Sequence, residues 1–317
     1  MRKINVLIGV AGSGKSTWVS DNTDNIDKVF ASDEYRENIF GTLKKQTKHD
    51  HNIVFSQLYH DIDQYVATHD TFNIVLDATN LSRKKRSHFY RTMKRHDVTV
   101  NAIVFTRPLH YLKDINEQRS SYKKVPDDVI NSMYENMTIP FIHVDCDTVD
   151  MVGEPFFRKI DFEHDYVDLD TVKRYTMPTL RDEIDKLYQS HNSHYHKESI
   201  DEHINQTISH SRGQDGMFYV AVFHDLGKGV TKKPNSNGTS NYINHENVSA
   251  LYLFNYLMTY HKEHYTECGE QLVKRVAYHM LPFRGIKQHK RQHLGINHDL
   301  WQKIQYFNQI DVMSSEQ

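Results

Sequence analysis

The chain has 317 residues, enough for two domains of ordinary size, and its 39 basic and 41 acidic side chains nearly balance. This balance excludes a globally basic nucleic-acid-binding protein, so a nucleic-acid partner would need a local groove. The two cysteines exclude a disulfide scaffold and a cysteine-based zinc site. No apolar run approaches the ~20 residues of a membrane span, so we expect a cytoplasmic protein without a membrane partner.

The first predicted element is a strand over Ile4–Ile8, followed directly by a loop of the pattern G-x-x-x-x-G-K-[ST]. Glycines allow such a loop to turn its main-chain N–H groups toward a phosphate, and a helix beginning at its end adds a favourable dipole. A glycine-rich turn with a chance lysine is the plainer alternative, and the strand before the loop argues against it. We therefore predict that this loop binds ATP through Gly9, Gly12, Ser13, Gly14, Lys15, Ser16 and Thr17, with Ser16 also a ligand of Mg²⁺.

Strand and helix patterns alternate through the first half of the chain, which is typical of a parallel sheet with helical crossovers. Further strands are predicted over 73–76 and 102–105, helices over 53–67 and 82–95, and a closing apolar segment over 139–144. The predicted fold of residues 1–152 is α/β. Ligands of such sheets bind at the carboxyl ends of the strands.

Three polar clusters follow predicted strands and are candidates for the same site. Asp33 and Arg36, three residues apart, would share a helix face, although alone they are more typical of an N-capping aspartate and a solvated arginine. Asp77 ends a strand and is either a site residue or a cap. Arg119, with Arg107 as the alternative, could stabilise charge during phosphoryl transfer. The basic run over 83–86 is interpreted as a solvated helix face.

Together these residues resemble the bacteriophage-type 5′-OH polynucleotide kinases over about residues 1–140. The matching motifs are Gly9–Thr17 with Trp18, Asp33-x-Tyr35-Arg36, Asp77-x-Thr79-Asn80-Leu81, and Arg119 upstream of Val125-Pro126 and Ser132-Met133-Tyr134. The resemblance implies that Lys15 and Ser16 handle ATP and Mg²⁺ and that Asp33 is the general base on a 5′-hydroxyl. It further implies that Arg36 contacts the acceptor's phosphate and that Arg119 acts on the transferring group.

The second half of the chain is predicted to be helical. Residues 153–178 are irregular and are interpreted as a connector that packs on one of the domains. Helices are predicted over 180–188, 199–210, 217–224, 246–260, 270–279 and 299–313, with a polar loop over 232–242. The chain thus divides into an α/β domain at 1–152, the connector, and an all-α domain at 179–317.

Most of the 22 histidines lie in this second half, and their spacing is informative. Adjacent His224 and Asp225 can ligand one metal ion, and Lys228 follows closely enough to hold a phosphate. Related polar residues lie in or beside other predicted helices and could project into one core. They are His203, His245, His279 and Asp311.

This series is similar to the HD superfamily of metal-dependent phosphohydrolases, over about residues 180–317. The resemblance implies a metal set of His203, His224, Asp225 and Asp311, with His245 and His279 as ligands of a second ion or contacts of the substrate phosphate. The segment 191–196 before His203 is similar to HD domains attached to tRNA nucleotidyltransferases, and His196 is a weaker candidate. Such sets accept Mg²⁺, Mn²⁺, Fe, Co²⁺ or Ni²⁺.

A kinase fused to a phosphoesterase predicts an enzyme that heals nucleic-acid ends: it phosphorylates a 5′-OH and removes a 2′,3′-cyclic or 3′-terminal phosphate. Substrates would be RNA or DNA with 5′-OH ends, and an RNA ligase is a possible partner. Two alternatives remain open. In one, a small-molecule or nucleoside kinase carries a nucleotide-hydrolysing HD domain; in the other, a catalytically silent HD domain senses nucleotides and regulates the kinase.

Overall fold

A computed structural model describes residues 1–43, 47–162, 167–189, 198–214 and 216–315. The chain separates into two compact units, Met1–Gly153 and Glu154–Gln317. The stretch predicted to be a connector, 153–178, therefore lies almost entirely within the second unit. None of the helices in the described ranges combines the length and apolar character that a membrane crossing requires.

The described part of the first unit is built on a parallel sheet of five strands in the order β2-β3-β1-β4-β5. Its strands are β1 (Arg2–Ile8), β2 (Lys28–Ala31), β3 (Phe72–Asp77), β4 (Thr99–Thr106) and β5 (Thr148–Gly153). Its helices are α1 (Lys15–Asp21), α2 (Ser32–Phe40), α3 (Lys48–Thr68), α4 (Arg83–Met93), α5 (Leu109–Glu117) and α6 (Asp127–Glu135). The predicted α/β class is confirmed for this unit.

Strand register determines where the polar clusters meet. Val6 of β1 pairs with Leu76 of β3, and Ala31 of β2 pairs with Asp77 of β3. The carboxyl ends of these three neighbouring strands consequently lie side by side. The loops that follow them carry the glycine-rich segment, the Asp33 cluster and the Asp77 cluster, which the register brings to one edge of the sheet.

The apolar segment over 139–144, predicted to close the domain, does not form a strand of the sheet. Phe141 is fully buried, but the segment contributes only an isolated bridge between Ile142 and Cys146. The strand that completes the sheet is β5, at its edge, whose polar Thr148 and Asp150 alternate with apolar residues. An edge strand needs fewer apolar residues than a central one, so it lacked the continuous apolar run that marks β1 and β4.

The basic run over 83–86, predicted to be a solvated helix face, is exposed at only two of its four positions on α4. Lys84 and Lys85 are exposed, whereas Arg83 and Arg86 are buried. Arg86 Nε lies 2.7 Å from Asp145 Oδ2, and its other nitrogens donate to main-chain oxygens that include those of Asn80 and Thr138. Burial is tolerated because every one of these donors has an acceptor. Arg86 thereby joins the loop after β3 to the segment before β5.

Helices make up most of the described second unit. They are α7 (Leu169–Tyr175), α8 (Arg181–Asp185), α9 (Ile200–His210), α10 (Met217–Phe223), α11 (Lys228–Thr231), α12 (His245–Tyr260), α13 (Glu270–Tyr278), α14 (Gln288–His293) and α15 (His298–Met313). A short hairpin of β6 (Lys233–Pro234) and β7 (Ser240–Asn241) lies within the predicted polar loop. The helical character of this part of the chain is confirmed.

Helix α12 is the centre of the second core, because it is apolar and buried on nearly every side. The residues before α7 pack against it: Phe156 N donates to Asn255 Oδ1 at 2.8 Å, and the Phe156 ring meets the Tyr252 ring edge to face. Phe157 is also fully buried. The irregular segment that begins at residue 154 is therefore part of this core.

Replacing Arg86 with methionine should destabilise the first unit by about 3–5 kcal/mol, since Asp145 would remain buried without its partner. Unfolding in urea can be followed through Trp18 alone in a Trp301→Phe background, because the chain has only these two tryptophans. Lys84→Met is the matched control and should change stability by less than about 0.5 kcal/mol. Equal stability of the two variants would contradict the structural role of Arg86.

Candidate active sites

The glycine-rich loop joins β1 to α1 at the carboxyl edge of the sheet. Gly12 and Gly14 have φ angles of 84° and 97°, in the left-handed region that only glycine adopts at little cost. Gly14 is the N-cap of α1, so the loop ends where free N–H groups of the helix begin. The conformation therefore matches the anion-binding loop that the sequence predicts.

Lys15 begins α1 and folds back over the loop. Its Nζ donates to the main-chain oxygens of Gly9 and Val10 at 2.8 and 2.9 Å. The pKa of Lys15 is lowered to about 8, mainly by burial and in part by the positive charge of Arg119, while the carboxylates of Asp77 and Asp33 act in the opposite direction. A phosphate beside this amine would raise the pKa again, so anion binding and protonation of Lys15 favour each other.

Asp33 and Arg36 lie on one face of α2, as their spacing predicts. Arg36 Nη1 lies 2.5 Å from Asp33 Oδ1 and 3.0 Å from Ser32 Oγ. The N-cap of α2 is Ala31 and no side chain caps it, so Asp33 is not the capping aspartate of the plainer interpretation. The Asp33 side chain is 62% exposed, which leaves its carboxylate accessible to a substrate.

Residues from four segments of the first unit line a cavity of about 270 Å³. Asp77 reaches it from the end of β3, and burial raises the pKa of this carboxyl. Arg119 reaches it from the segment after α5, and its Nη1 is buried without a hydrogen-bond partner. A guanidinium nitrogen in that state is costly unless an anion occupies the cavity. The lining includes the loop residues Gly12, Ser13, Gly14, Lys15, Ser16 and Thr17 together with Asp33 and Arg36.

Arg107 does not line this cavity, and its guanidinium lies 5.4 Å from the ring of Tyr111. The structure thus favours Arg119 over Arg107. Asn80, to which the sequence assigned no individual role, connects the loop after β3 to the end of β1, because its Nδ2 donates to Leu7 O at 2.8 Å. Asn80 has a φ of 46°, a conformation that asparagine tolerates better than most residues.

The second unit contains a buried cluster of histidines and carboxylates supplied by separate helices. His203 lies on α9, His224 and Asp225 directly follow α10, His245 begins α12, His279 directly follows α13 and Asp311 lies on α15. All six are at most 8% exposed. The structure therefore brings together every residue that the resemblance implied as a metal ligand.

Asp225 divides the cluster into two groups that share it. Its Oδ2 lies 3.3 Å from His224 Nε2 and 3.5 Å from His203 Nε2, and its Oδ1 lies 3.2 Å from His245 Nε2 and 3.9 Å from His279 Nε2. Within each group the possible ligand atoms all lie within 4.8 Å of one another. Asp311 Oδ1 lies 2.9 Å from His203 Nε2 and adds a carboxylate to the first group.

The imidazole rings are oriented by hydrogen bonds on the side away from the cluster. Each of three Nδ1–H groups donates to a main-chain oxygen three residues earlier: His224 to Ala221, His245 to Tyr242 and His279 to Val276, at 2.7–2.8 Å. This arrangement directs each Nε2 into the cluster. Outer hydrogen bonds of this kind commonly set the ring orientation of metal-binding histidines.

Neighbouring charges in the cluster shift the pKa values of its histidines in opposite directions. Burial alone would lower the pKa of His224, but Asp225 and Asp311 outweigh it and raise this pKa to about 10. Burial and the neighbouring His245 and His224 lower the pKa of His279 to about 4, so its Nε2 carries a lone pair at neutral pH. Imidazole nitrogens and carboxylate oxygens form a donor set suited to divalent transition metals.

The chain leaves the cluster by a path that only glycine permits. A Cβ on Gly227 would lie 2.3 Å from the main-chain oxygen of His245, so α11 passes directly against the first turn of α12. Lys228 follows, is 6% exposed, and places its Nζ 2.5 Å from Asp225 Oδ2. Its charge therefore lies at the edge of the cluster, where a phosphate could share it.

A cavity of about 800 Å³ adjoins the cluster, with Asp225, Lys228, His245, His279 and Asp311 in its lining. The rest of its lining comes from the β6–β7 hairpin and the residues that follow it, the segment after α13 and the end of α15, none of which the sequence had marked as part of a site. They include Asn237, Asn241, Tyr242, Phe283 and Arg284. Short polar loops carry no periodic signal, so only the fold shows that they face the cluster. The segment 191–196, with the weaker candidate His196, lies outside the described residues.

The first unit is similar in sequence to known proteins. Residues 4–140 match the family model described as AAA domain. The chain is 27% identical over 168 residues to an L-seryl-tRNA(Sec) kinase of Methanococcus maripaludis, covering 50% of this chain and 60% of that protein. A chain of the structure entitled "Structure of Pnkp1/Rnl/Hen1 complex" aligns at 20% identity over 39% of this chain and 45% of its own, with a TM-score of 0.32.

The loop geometry, the parallel sheet and the family match over residues 4–140 make the first unit similar to a P-loop domain of the kinase type. ATP and Mg²⁺ are the ligands that such a domain suggests. The chain spans about 60% of the length of this archaeal kinase, so the activity of that whole protein is not assigned to this chain. The alignment to the chain of the Pnkp1/Rnl/Hen1 structure has a TM-score of 0.32, which is too low to carry a conclusion about function.

The affinity for ATP should fall about tenfold between pH 7 and pH 9, because phosphates bind the protonated Lys15, whose pKa in the free protein is about 8. Below pH 7 the amine is already protonated and affinity should be level. Calorimetric titration at several pH values measures this, and Lys15→Arg, which stays charged throughout, should remove the decline. If Lys15→Arg showed the same decline in ATP affinity, the decline would have to come from a group other than Lys15.

The two groups that share Asp225 should be separable by metal analysis. After dialysis against Mn²⁺, His203→Ala and His279→Ala should each lose about one of two bound ions, while Asp225→Ala should lose both. Elemental analysis gives the content, and near-ultraviolet circular dichroism checks that each variant is folded. His298→Ala, an exposed histidine at the start of α15, is the control. Full metal content in Asp225→Ala would contradict a shared carboxylate.

Proposed function

We propose that this protein is a bifunctional enzyme that heals nucleic-acid ends, most naturally those of RNA. The first unit transfers the γ-phosphoryl group of ATP to a 5′-hydroxyl. The second unit, proposed to be an HD phosphohydrolase domain, removes a 2′,3′-cyclic or terminal phosphate from the 3′ end. Breaks that leave 5′-OH and cyclic phosphate ends need both reactions before a ligase can join them.

The observation that carries the kinase assignment is the convergence of Lys15, Asp33, Arg36 and Arg119 on one small cavity. Asp33 is accessible to accept the proton of an acceptor hydroxyl as its oxygen attacks the γ-phosphorus. The bond to the β,γ-bridging oxygen breaks and ADP leaves. Lys15 and Arg119 can stabilise the charge that develops on the transferring group, and Ser16 would hold Mg²⁺.

Arg36 is placed to recognise what surrounds the acceptor hydroxyl. It lies one helical turn from Asp33 on α2, and both line the cavity. When a substrate phosphate replaces Asp33 as the partner of this guanidinium, the carboxylate becomes free to serve as a base. A nucleotide with a phosphate on its 3′ side would provide that anion, whereas a simple nucleoside would not.

The second reaction is supported by the buried cluster around Asp225. The donor set fits two divalent ions, of which Mn²⁺, Ni²⁺, Co²⁺ and Fe are the proposed choices, held by His203, His224, Asp225 and Asp311 and by Asp225, His245 and His279. Such ions supply Lewis-acid activation of a phosphoester. Lys228 is positioned to bind a phosphate oxygen at the edge of the cluster.

The relative from Methanococcus maripaludis supports a second candidate for the kinase. Its name describes phosphorylation of seryl-tRNA, in which the acceptor is the hydroxyl of an amino acid carried by RNA. The same base and arginine clamp could serve that acceptor. Seryl-tRNA must therefore be tested beside 5′-OH RNA, together with free nucleosides, which represent the small-molecule alternative.

The decisive experiment uses one RNA oligonucleotide with a 5′-OH and a 2′,3′-cyclic phosphate, incubated with ATP, Mg²⁺ and Mn²⁺. Mass spectrometry should show phosphate gained at the 5′ end and lost at the 3′ end. Arg119→Ala should slow only the 5′ reaction, by about 10²–10³-fold, and Asp225→Ala should abolish only the 3′ reaction. Each variant is the control for the other.

The remaining outcomes identify the alternatives. Phosphorylation without any change at the 3′ end would favour a nucleotide-hydrolysing or nucleotide-sensing second unit, which free nucleotides would then distinguish. Activity on seryl-tRNA or nucleosides but not on the oligonucleotide would overturn the polynucleotide assignment.

A further inference from the structure

A strongly basic surface follows α13 in the second unit. Between residues 283 and 293 the sequence contains no aspartate or glutamate, although the chain as a whole has almost equal numbers of acidic and basic residues. We define the basic rim as Arg284, Lys287, His289, Lys290, Arg291 and His293. Five of these side chains are exposed, and the sixth, Arg291, lies with its guanidinium 4.4 Å from the centre of the Trp301 ring.

The basic rim borders the large cavity beside Asp225. Phe283 and Arg284 line that cavity together with His245 and His279. The Phe283 side chain is exposed by 55%, so its ring is available at the mouth of the cavity. Lys287 lies three residues beyond Arg284, which places its Cα within about 11 Å of that residue. The positive charge thus begins at the cavity and extends outward over α14.

The position of these charges distinguishes two kinds of substrate. A free nucleotide has its phosphate at the cluster and can be contained within a cavity of about 800 Å³. Cations beyond the mouth of the cavity contribute little to such a ligand. A polynucleotide leaves the cavity and carries a phosphate at every nucleotide, so each outer cation gains a partner. An exposed aromatic ring at the mouth offers a surface on which a base can stack.

We infer that the basic rim binds the backbone of a polynucleotide whose 3′ end occupies the cavity. This inference rests on the proposed phosphoesterase function of the second unit and specifies its substrate class as nucleic-acid ends. Arg284 is held by Glu246 at 2.9 Å and is the fixed point of the rim at the cavity. Lys287 and Lys290 provide the outer phosphate contacts.

The kinetic test compares an RNA 12-mer bearing a 2′,3′-cyclic phosphate with a 2′,3′-cyclic mononucleotide. Lys287→Gln/Lys290→Gln should raise KM for the 12-mer about tenfold and by at least fivefold more than for the mononucleotide, and should reduce the salt dependence of log KM by about 1.4. Lys159→Gln/Lys186→Gln removes the same charge from exposed positions outside the cavity lining and is the control. An equal change for both substrates, or for both double variants, would overturn the inference.

A second measurement decides the inference without catalysis. An RNA 12-mer with 4-thiouridine near its 3′ end is irradiated with the full-length protein, and the attached peptide is identified by mass spectrometry. Attachment within 283–301, lost when the label is moved to the 5′ end, supports the inference. Attachment elsewhere overturns it. If the wild type hydrolyses neither substrate, the phosphoesterase proposal fails, and the attachment site alone decides whether the rim binds RNA.

Discussion

The interaction on which the second unit depends is the sharing of one buried carboxylate among several cationic or coordinating groups. Asp225 is 2% exposed, and its two oxygens face different histidine pairs and Lys228. An isolated carboxylate at such depth would be strongly destabilising, so the helices that surround it must each present a partner. The packing of α9, α12, α13 and α15 around α10 is thereby tied to the site.

In the first unit the groups that need partners of opposite charge are cations rather than a carboxylate. Lys15 and Arg119 place positive charge over a loop that already presents N–H groups, and Arg119 Nη1 has no acceptor. Arg86 is also buried, but its acceptors are all supplied by the protein. The contrast separates a structural guanidinium from one that awaits an anion. The acceptors of Arg86 belong to the framework of the fold, whereas Arg119 lines a cavity in which an anion could pair with its Nη1.

Both candidate sites were predictable as residue sets because they lie at ends of strongly patterned elements. Lys15 follows an apolar strand and glycines at characteristic spacing, and His224 and Asp225 directly follow an apolar helix. The cavity walls were not predictable in the same way. Asn241 and Phe283 lie in short loops without periodicity, and Asn80 acts through a single side-chain contact across strand ends. Their roles depend on contacts between residues far apart in the chain.

The sequence by itself determined the classes of local structure and the chemistry available to them: an anion-binding loop, alternating strands and helices, and a histidine- and carboxylate-rich helical region. These follow from short-range patterns, because backbone preference and periodicity act over a few residues. Only the tertiary structure decided that β5 rather than 139–144 completes the sheet, that Arg83 and Arg86 are buried, and that Arg119 rather than Arg107 lines the cavity beside the glycine-rich loop. Each of these outcomes depends on which residues far apart in the sequence supply hydrogen-bond partners for a buried charge or for the edge of the sheet. Such partners are brought together only by the packing of the whole fold.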